Sequence, residues 1–132
     1  MFLLEKALAK EMIDHARREA PDECCGLLAG ADNKVLMVYP ARNALKSPAH
    51  YSLDPRELYH LLKEIDRQGW ELLGIYHSHT HTEAYPSATD IELAFWPDSL
   101  YFIVSLQDPG SPRLRAFHIR EGRPAEEELT IR

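Results

Sequence analysis

The chain has 132 residues, an ordinary apolar and charged content, and a formal net charge of −6 at pH 7. This length is typical of one domain, and it allows a core that folds without disulfide bonds. We therefore predict a single domain over residues 1–132. Lysine and arginine are scattered along the chain, which argues against nucleic acid or an anionic membrane as the main partner.

The two cysteines, Cys24 and Cys25, are adjacent. Neighbouring residues cannot form an ordinary disulfide, so we predict two free thiols that behave as small buried apolar groups. Free thiols suit a reducing compartment. The segment Met1–Lys6 already contains charged residues, so it lacks the apolar region of a signal peptide. No stretch of the chain is apolar over the length that a membrane span needs. We expect a cytoplasmic protein.

The first part of the chain predicts a helix followed by a hairpin. Apolar residues recur at helical spacing from Leu4 to Ala20, and Pro21 ends that helix. The short apolar run Cys24–Ala29 predicts a buried strand, and Val35–Tyr39 its hairpin partner. A further short strand is predicted over Tyr51–Leu53.

The second part predicts helices and strands in alternation. A helix begins at Pro55 with Asp54 as its cap, and Gly69 closes it. The later predicted elements are a strand over Leu72–Ser78, a short helix over Ile91–Trp96, strands over Leu100–Leu106 and Leu114–Ile119, and a strand in the last residues. This order predicts an α/β (α+β) fold in which helices flank a mixed sheet.

The segment Gly74–Asp90 carries the most chemical information. Three of the seven histidines, His77, His79 and His81, alternate within it. Side chains two positions apart on a strand point to the same face, so His77 and His79 can bring both imidazoles to one point. Neutral imidazole is a zinc ligand, and a carboxylate completes many catalytic sites. Asp90 and Glu83 are the nearby carboxylates, and spacing alone does not choose between them.

A structural interpretation accounts for the same residues. Alternating histidines also occur on the polar face of an exposed strand. Ser87 and Asp90 are spaced as in a capping box, with Asp in place of Glu, at the start of a helix. Both interpretations of the segment stay open on spacing alone.

The chain resembles the JAMM (MPN+) metallopeptidase family. The family signature is His-x-His, seven residues, and Ser-x-x-Asp, which His77, His79, Ser87 and Asp90 match at every position. The family also has an upstream glutamate at the start of a strand, and the segment Pro21–Leu28 nominates Glu23 for that role. Many members have proline directly after the second histidine, where this chain has Thr80; this difference replaces no ligand and concerns the shape of the loop.

The resemblance implies a fold, a cofactor and a set of roles. The fold is a JAMM/MPN domain with a three-layer arrangement like that of cytidine deaminases. One Zn²⁺ ion per chain is bound by His77, His79 and Asp90, with water at the fourth position. Glu23 acts as general base and then acid, and Ser87 stabilises the oxyanion. Apart from the resemblance, we expect His81 to be a loop residue that faces the substrate, and a regular strand points Ser78 away from His77 and His79.

The compact chain is similar to small prokaryotic members that act on ubiquitin-like sulfur-carrier proteins. This similarity implies a zinc peptidase or isopeptidase that cuts the amide after a C-terminal Gly-Gly, in sulfur metabolism or protein deconjugation. The flexible tail of the substrate would bind as an added strand. The alternatives are a catalytically silent interaction module of the MPN type and a zinc hydrolase acting on another amide. A deaminase is disfavoured, because adjacent Cys24 and Cys25 cannot supply a Cys-x-x-Cys ligand pair. A homodimer is also among the partners that we consider.

Overall fold

One mixed sheet of eight strands forms the centre of the molecule in the computed structural model, which describes residues 1–132. In chain order the elements are β1 (Phe2–Leu4), α1 (Lys6–Glu19), β2 (Cys25–Ala31), β3 (Lys34–Ala41), α2 (Pro55–Arg67), β4 (Glu71–His79), α3 (Ala88–Glu92), β5 (Leu100–Ser105), β6 (Arg113–Arg120), β7 (Arg123–Glu127) and β8 (Leu129–Ile131). No helix is both long and apolar enough to cross a membrane.

The strand order across the sheet is β7-β6-β5-β4-β2-β3-β1-β8. The central strands β2 and β4 run antiparallel, and β4 runs parallel to β5. All six residues of β5 are buried, as expected for a strand that is covered on both faces. The two free edges are β7 and β8, so the centre of the sheet lies at β2 and β4.

Helices cover the two faces of the sheet, which gives three layers. The buried apolar residues of α1 are Ala9, Met12 and Ala16, and they pack in one apolar cluster with Phe102 of β5. On the opposite face, Ile65 of α2 packs in a second cluster. The α2 helix begins where the Asp54 carboxylate accepts hydrogen bonds from the backbone N–H groups of its first turn. The predicted α+β class, with helices flanking a mixed sheet, is confirmed.

Several predicted boundaries were wrong. Leu4 belongs to β1 and not to the first helix, because the chain pairs there with β8, an element too distant in sequence for periodicity to reveal. Tyr51–Leu53 forms only an isolated bridge between Leu53 and Asn43 and is not a strand. The short helix is Ala88–Glu92 and not Ile91–Trp96, because the Ser87 cap starts it earlier.

The strand register places the sequence-predicted histidines at the end of β4. Cys25 of β2 lies opposite His77, and Ile103 of β5 lies on its other side. Opposite residues on neighbouring strands share a face. Ile103 packs in the cluster that contains Ile65, so His77 and His79 point to the α2 face. Both histidines are almost completely buried.

Candidate metal centre

The structure brings three ligand atoms together at the end of β4. The Nε2 atoms of His77 and His79 lie 3.1 Å apart, and Asp90 Oδ2 lies 3.1 Å from the first and 3.0 Å from the second. A tetrahedral zinc ion with bonds of about 2.0–2.1 Å separates its ligands by about 3.3–3.4 Å. The triangle of donor atoms therefore has nearly the size that such an ion requires.

The hydrogen bond on the far side of His79 fixes its tautomer. His79 Nδ1 lies 2.8 Å from the backbone carbonyl oxygen of Glu83. A carbonyl only accepts, so Nδ1 carries the proton and, in the neutral ring, Nε2 presents a lone pair to Asp90. Two acceptors this close need a positive charge between them, which is either an added proton or a metal cation. The donor set of His79, His77 and Asp90 therefore fits a divalent metal.

Asp90 belongs to a capping box and to the triangle of donor atoms at once. Its backbone N–H donates to Ser87 Oγ at 3.0 Å, and Ser87 N–H donates to Asp90 Oδ2 at 2.9 Å. This reciprocal pair starts α3 and holds the carboxylate towards the histidines. The structural and the ligand interpretations of Ser87-x-x-Asp90 therefore hold together.

Burial and mutual contact set the electrostatics of the three groups. Burial keeps the pKa of His77 below its ordinary value, which favours the neutral ring that binds metals. Burial alone would raise the pKa of Asp90, but hydrogen bonds with His77 and His79 outweigh it and lower that pKa well below its usual range. The carboxylate is thus ionised at every physiological pH.

Glu23 lies just before β2 on the same face as the histidines. It precedes Cys25 by two residues, and the backbone N–H of Ser78 donates to the carbonyl of Cys24, so the ladder continues towards Glu23. Its side chain is 4% exposed, and Oε1 has no hydrogen-bond partner. Burial, together with the charge of Asp90, raises the pKa of Glu23 to about 7, although a favourable interaction with His79 opposes this. A carboxyl group in this state can accept and release a proton near neutral pH.

The remaining sequence-predicted residues take distinct places. Ser87 is exposed at the start of α3. Ser78 points to the other face, where its Oγ accepts from the backbone N–H of Cys24 at 2.8 Å, which confirms the prediction that it points away. Cys24 and Cys25 are free and buried, and burial raises the pKa of each thiol to about 12.

Two other residues that the sequence analysis considered, Glu83 and His81, lie in the loop after β4. Glu83 contributes its backbone carbonyl to His79, and its exposed carboxylate is outside the group of three donors. His81 is exposed and lies with Thr80 and Pro21 at the rim of a surface depression. The Thr80 hydroxyl donates to the Pro21 carbonyl at 3.3 Å, so the residue that departs from the family pattern ties this loop to the segment leading to Glu23.

Two residues around the centre escaped the sequence-based predictions. The ring of Tyr51 stacks on His77, with centroids 4.5 Å apart and planes at 21°. Buried Asn43 uses its side-chain amide to hold the segment that leads to Tyr51. Neither residue carries a local signal in the sequence, because both act through contacts with elements that are distant along the chain.

An apolar cavity of about 250 Å³ adjoins the metal centre. Asp90 and Thr89 lie on its wall, and its apolar lining consists of Tyr51, Leu53, Leu58, Ile75, Leu93, Phe95, Trp96 and Tyr101. Phe95 is 73% exposed, an unusual state for a large aromatic side chain. The centre therefore opens onto a surface suited to apolar groups of a partner.

Comparison with known proteins agrees with this geometry. A sequence model described as prokaryotic homologs of the JAB domain matches residues 5–119. The CysO-cysteine peptidase of Mycobacterium tuberculosis is 39% identical over 99% of this chain and 91% of its own length. The probable TtuB-protein conjugate cleaving protease of Thermus thermophilus is 39% identical over 93% of this chain and 79% of its own length.

A solution structure of a Desulfitobacterium hafniense protein is also similar. It superposes with a TM-score of 0.91 at 42% identity, covering 100% of this chain and 93% of that one. The family match spans most of the chain and includes all the residues that converge on the centre. The chain therefore belongs to the family of prokaryotic JAB-domain homologs and is a JAMM-type peptidase.

Proposed function

We propose that this protein is a zinc-dependent peptidase that hydrolyses the amide after the C-terminal Gly-Gly of a ubiquitin-like or sulfur-carrier protein. The observation that carries the proposal is the triangle of Nε2, Nε2 and Oδ2 atoms, 3.0–3.1 Å on each side, beside a buried and unpaired glutamate. Two imidazoles and one carboxylate are a common set of protein ligands for catalytic zinc. In this proposal His77, His79 and Asp90 bind one Zn²⁺ ion.

A zinc ion at this centre supplies Lewis acidity, which activates water and polarises a carbonyl group. Glu23 is the proton-transfer group in the proposal, since it lies on the ligand face with a free Oε1 and a pKa of about 7. It accepts the proton of the attacking water and delivers it to the leaving amine.

Ser87 is the proposed hydrogen-bond donor to the scissile carbonyl. Its oxygen accepts from the backbone N–H of Asp90, which leaves the hydroxyl proton free to donate outwards. The side chain is exposed at the start of α3 and is held beside a metal ligand by the capping box. A donor of this kind typically contributes about 3–4 kcal/mol to stabilising the transition state.

The substrate assignment rests on the similar peptidases. Their names specify a CysO–cysteine substrate and TtuB–protein conjugates. An extended tail ending in Gly-Gly suits a centre at the end of a strand whose two histidines are almost completely buried. The free sheet edges are β7 and β8, far from β2 and β4 in the strand order. The expected strand-like pairing of the tail therefore involves the loops beside the centre.

The test is hydrolysis of two matched substrates followed by mass spectrometry. One is a ubiquitin-like sulfur-carrier protein joined through its terminal glycine to cysteine, and the other is the same protein joined to a lysine side chain. We expect the zinc-loaded protein to release the carrier with a free Gly-Gly carboxylate from at least one substrate, and the chelator-treated protein to release none. Failure to cleave either substrate with zinc at full occupancy would contradict the substrate assignment.

A matched pair of variants tests the roles of the side chains. Glu23→Gln is expected to keep zinc and lose hydrolysis, because the amide cannot accept the proton of water. Glu57→Gln is a control on α2, where the carboxylate accepts from the Arg42 backbone and lies outside the centre. Turnover by Glu23→Gln at the rate of Glu57→Gln would exclude Glu23 as the base. A cytoplasmic location and a homodimer stay predictions.

A further inference from the structure

The two histidines of the centre are supported in different ways. His79 has a hydrogen bond from Nδ1 to the Glu83 carbonyl, which is the usual way to orient an imidazole that binds a metal. His77 Nδ1 is buried and has no hydrogen-bond partner. His77 therefore has a hydrogen bond only on its Nε2 side, and its Nδ1 side needs another kind of support.

The ring of Tyr51 fills that role geometrically. It lies on the face of His77 with centroids 4.5 Å apart and an interplanar angle of 21°, the offset-stacked arrangement that aromatic rings prefer. His79 meets His77 in an edge-on orientation, with centroids 5.0 Å apart and planes at 63°. The Tyr51 face therefore limits rotation of the His77 ring from one side, and His79 limits it from another.

The stack is also suited electronically to a bound cation. The face of a phenol ring carries partial negative charge and attracts groups that are poor in electrons. An imidazole becomes poorer in electrons when its nitrogen binds a metal. The contact with Tyr51 is therefore stronger when His77 is coordinated than when it is free.

The segment that carries Tyr51 is anchored by Asn43. The Asn43 amide nitrogen donates to the carbonyls of Glu23 and His50, at 3.0 and 2.9 Å. Its oxygen accepts from the backbone N–H groups of Leu45 and Ser52, at 3.0 and 3.2 Å. The bonds to His50 and Ser52 hold the residues on both sides of Tyr51, and the bond to Glu23 links them to the segment before β2.

We infer that Tyr51 is a positioning residue for the metal ligand His77, and that its aromatic face takes the place of the missing hydrogen bond to Nδ1. This inference rests on the proposed function only in that His77 binds the metal. It concerns metal affinity and makes no claim about the substrate. Groups that orient metal ligands typically change metal affinity by about 10- to 100-fold when they are removed.

The experiment compares Tyr51→Leu, Tyr51→Phe and the wild type by competition with a chromophoric zinc chelator. Tyr51→Leu removes the ring, and we expect its zinc Kd to rise about tenfold or more. Tyr51→Phe keeps the stacking face, and we expect a Kd within about twofold of the wild type. Tyr59→Leu is the matched control, because Tyr59 is 58% exposed on α2 and lies outside the centre.

A second readout separates positioning from a general loss of stability. The visible absorption of the Co²⁺-loaded protein reports ligand geometry, and we expect it to change in Tyr51→Leu and to be retained in Tyr51→Phe and Tyr59→Leu. Unchanged zinc affinity and an unchanged Co²⁺ spectrum in Tyr51→Leu would overturn the inference. A wild-type protein that binds no zinc would instead overturn the proposed function, so the two failures are distinguishable.

Discussion

Replacement of Glu23 by glutamine is expected to remove a loss of stability that the metal-free protein undergoes between pH 5 and pH 8. The wild-type side chain is 4% exposed, and its Oε1 lacks a hydrogen-bond partner. Burial raises the pKa of this carboxyl group from an ordinary value of 4.5 to about 7. The folded protein therefore favours the protonated acid, and ionising it inside the protein costs free energy.

The sign of the effect follows from proton binding. Between pH 4.5 and about 7 the folded state holds more protons on Glu23 than the unfolded state does, so the free energy of unfolding falls as the pH rises. The penalty is absent below the unfolded pKa and complete above the folded one. At about 1.4 kcal/mol per pH unit, the two pKa values imply a loss of about 2.5 kcal/mol between pH 5 and pH 8. Glutamine does not titrate and escapes this loss.

Urea denaturation of both proteins, with chelator present at pH 5 and pH 8, measures the difference. We expect the stability of Glu23→Gln relative to the wild type to improve by about 2–3 kcal/mol from the lower to the higher pH. The titrating groups that do not interact with Glu23 are common to both proteins and cancel in the comparison. A relative stability that is the same at both pH values would refute the reasoning, because it would mean that Glu23 ionises in the folded protein as it does in water.

Three other predictions concern residues around the centre. Ser87→Ala should reduce kcat by about 10²–10³-fold because a hydrogen-bond donor to the substrate is lost. It should also lower the free energy of unfolding by about 1 kcal/mol because α3 loses its cap. An activity near that of the wild type would remove Ser87 from catalysis. Asn43→Ala removes four hydrogen bonds, so urea denaturation should show a loss of about 3 kcal/mol, and a loss below about 1 kcal/mol would contradict its anchoring role. Burial raises the pKa of Cys24 and of Cys25 to about 12. A disulfide exchange reagent should therefore label both thiols only after the protein unfolds. Rapid labelling of the folded protein would contradict their burial.

The sequence predicts the elements of the core well, because their apolar patterns are continuous. The buried run of β2 and the amphipathic helix α2 with its Asp54 cap lie close to their predicted positions. The short strands at the ends of the chain are different, since β1 and β8 pair with each other across the full length of the sequence. Each of these strands has only three residues, which is too short for a periodic pattern of apolar residues to show.

At the metal centre, too, some residues follow from a local sequence pattern and others depend on contacts between distant parts of the chain. The spacing of His77 and His79 predicts that their side chains converge, since they alternate on one strand. Asp90 joins them through the turn that Ser87 caps, and its choice over Glu83 came from the family signature. The stacking partner Tyr51 and the anchor Asn43 lie in a loop whose contacts depend on the folded chain. No local pattern could have placed them beside His77.

The central claim is that His77, His79 and Asp90 together bind one zinc ion. Native mass spectrometry of the purified protein after zinc loading and gel filtration tests it most directly, with Asp90→Asn as the variant and Asp66→Asn, on α2, as its control. The wild type and Asp66→Asn are predicted to retain one zinc ion per chain, and Asp90→Asn is predicted to lose it. One zinc ion retained by Asp90→Asn at the occupancy of the wild type would contradict the claim.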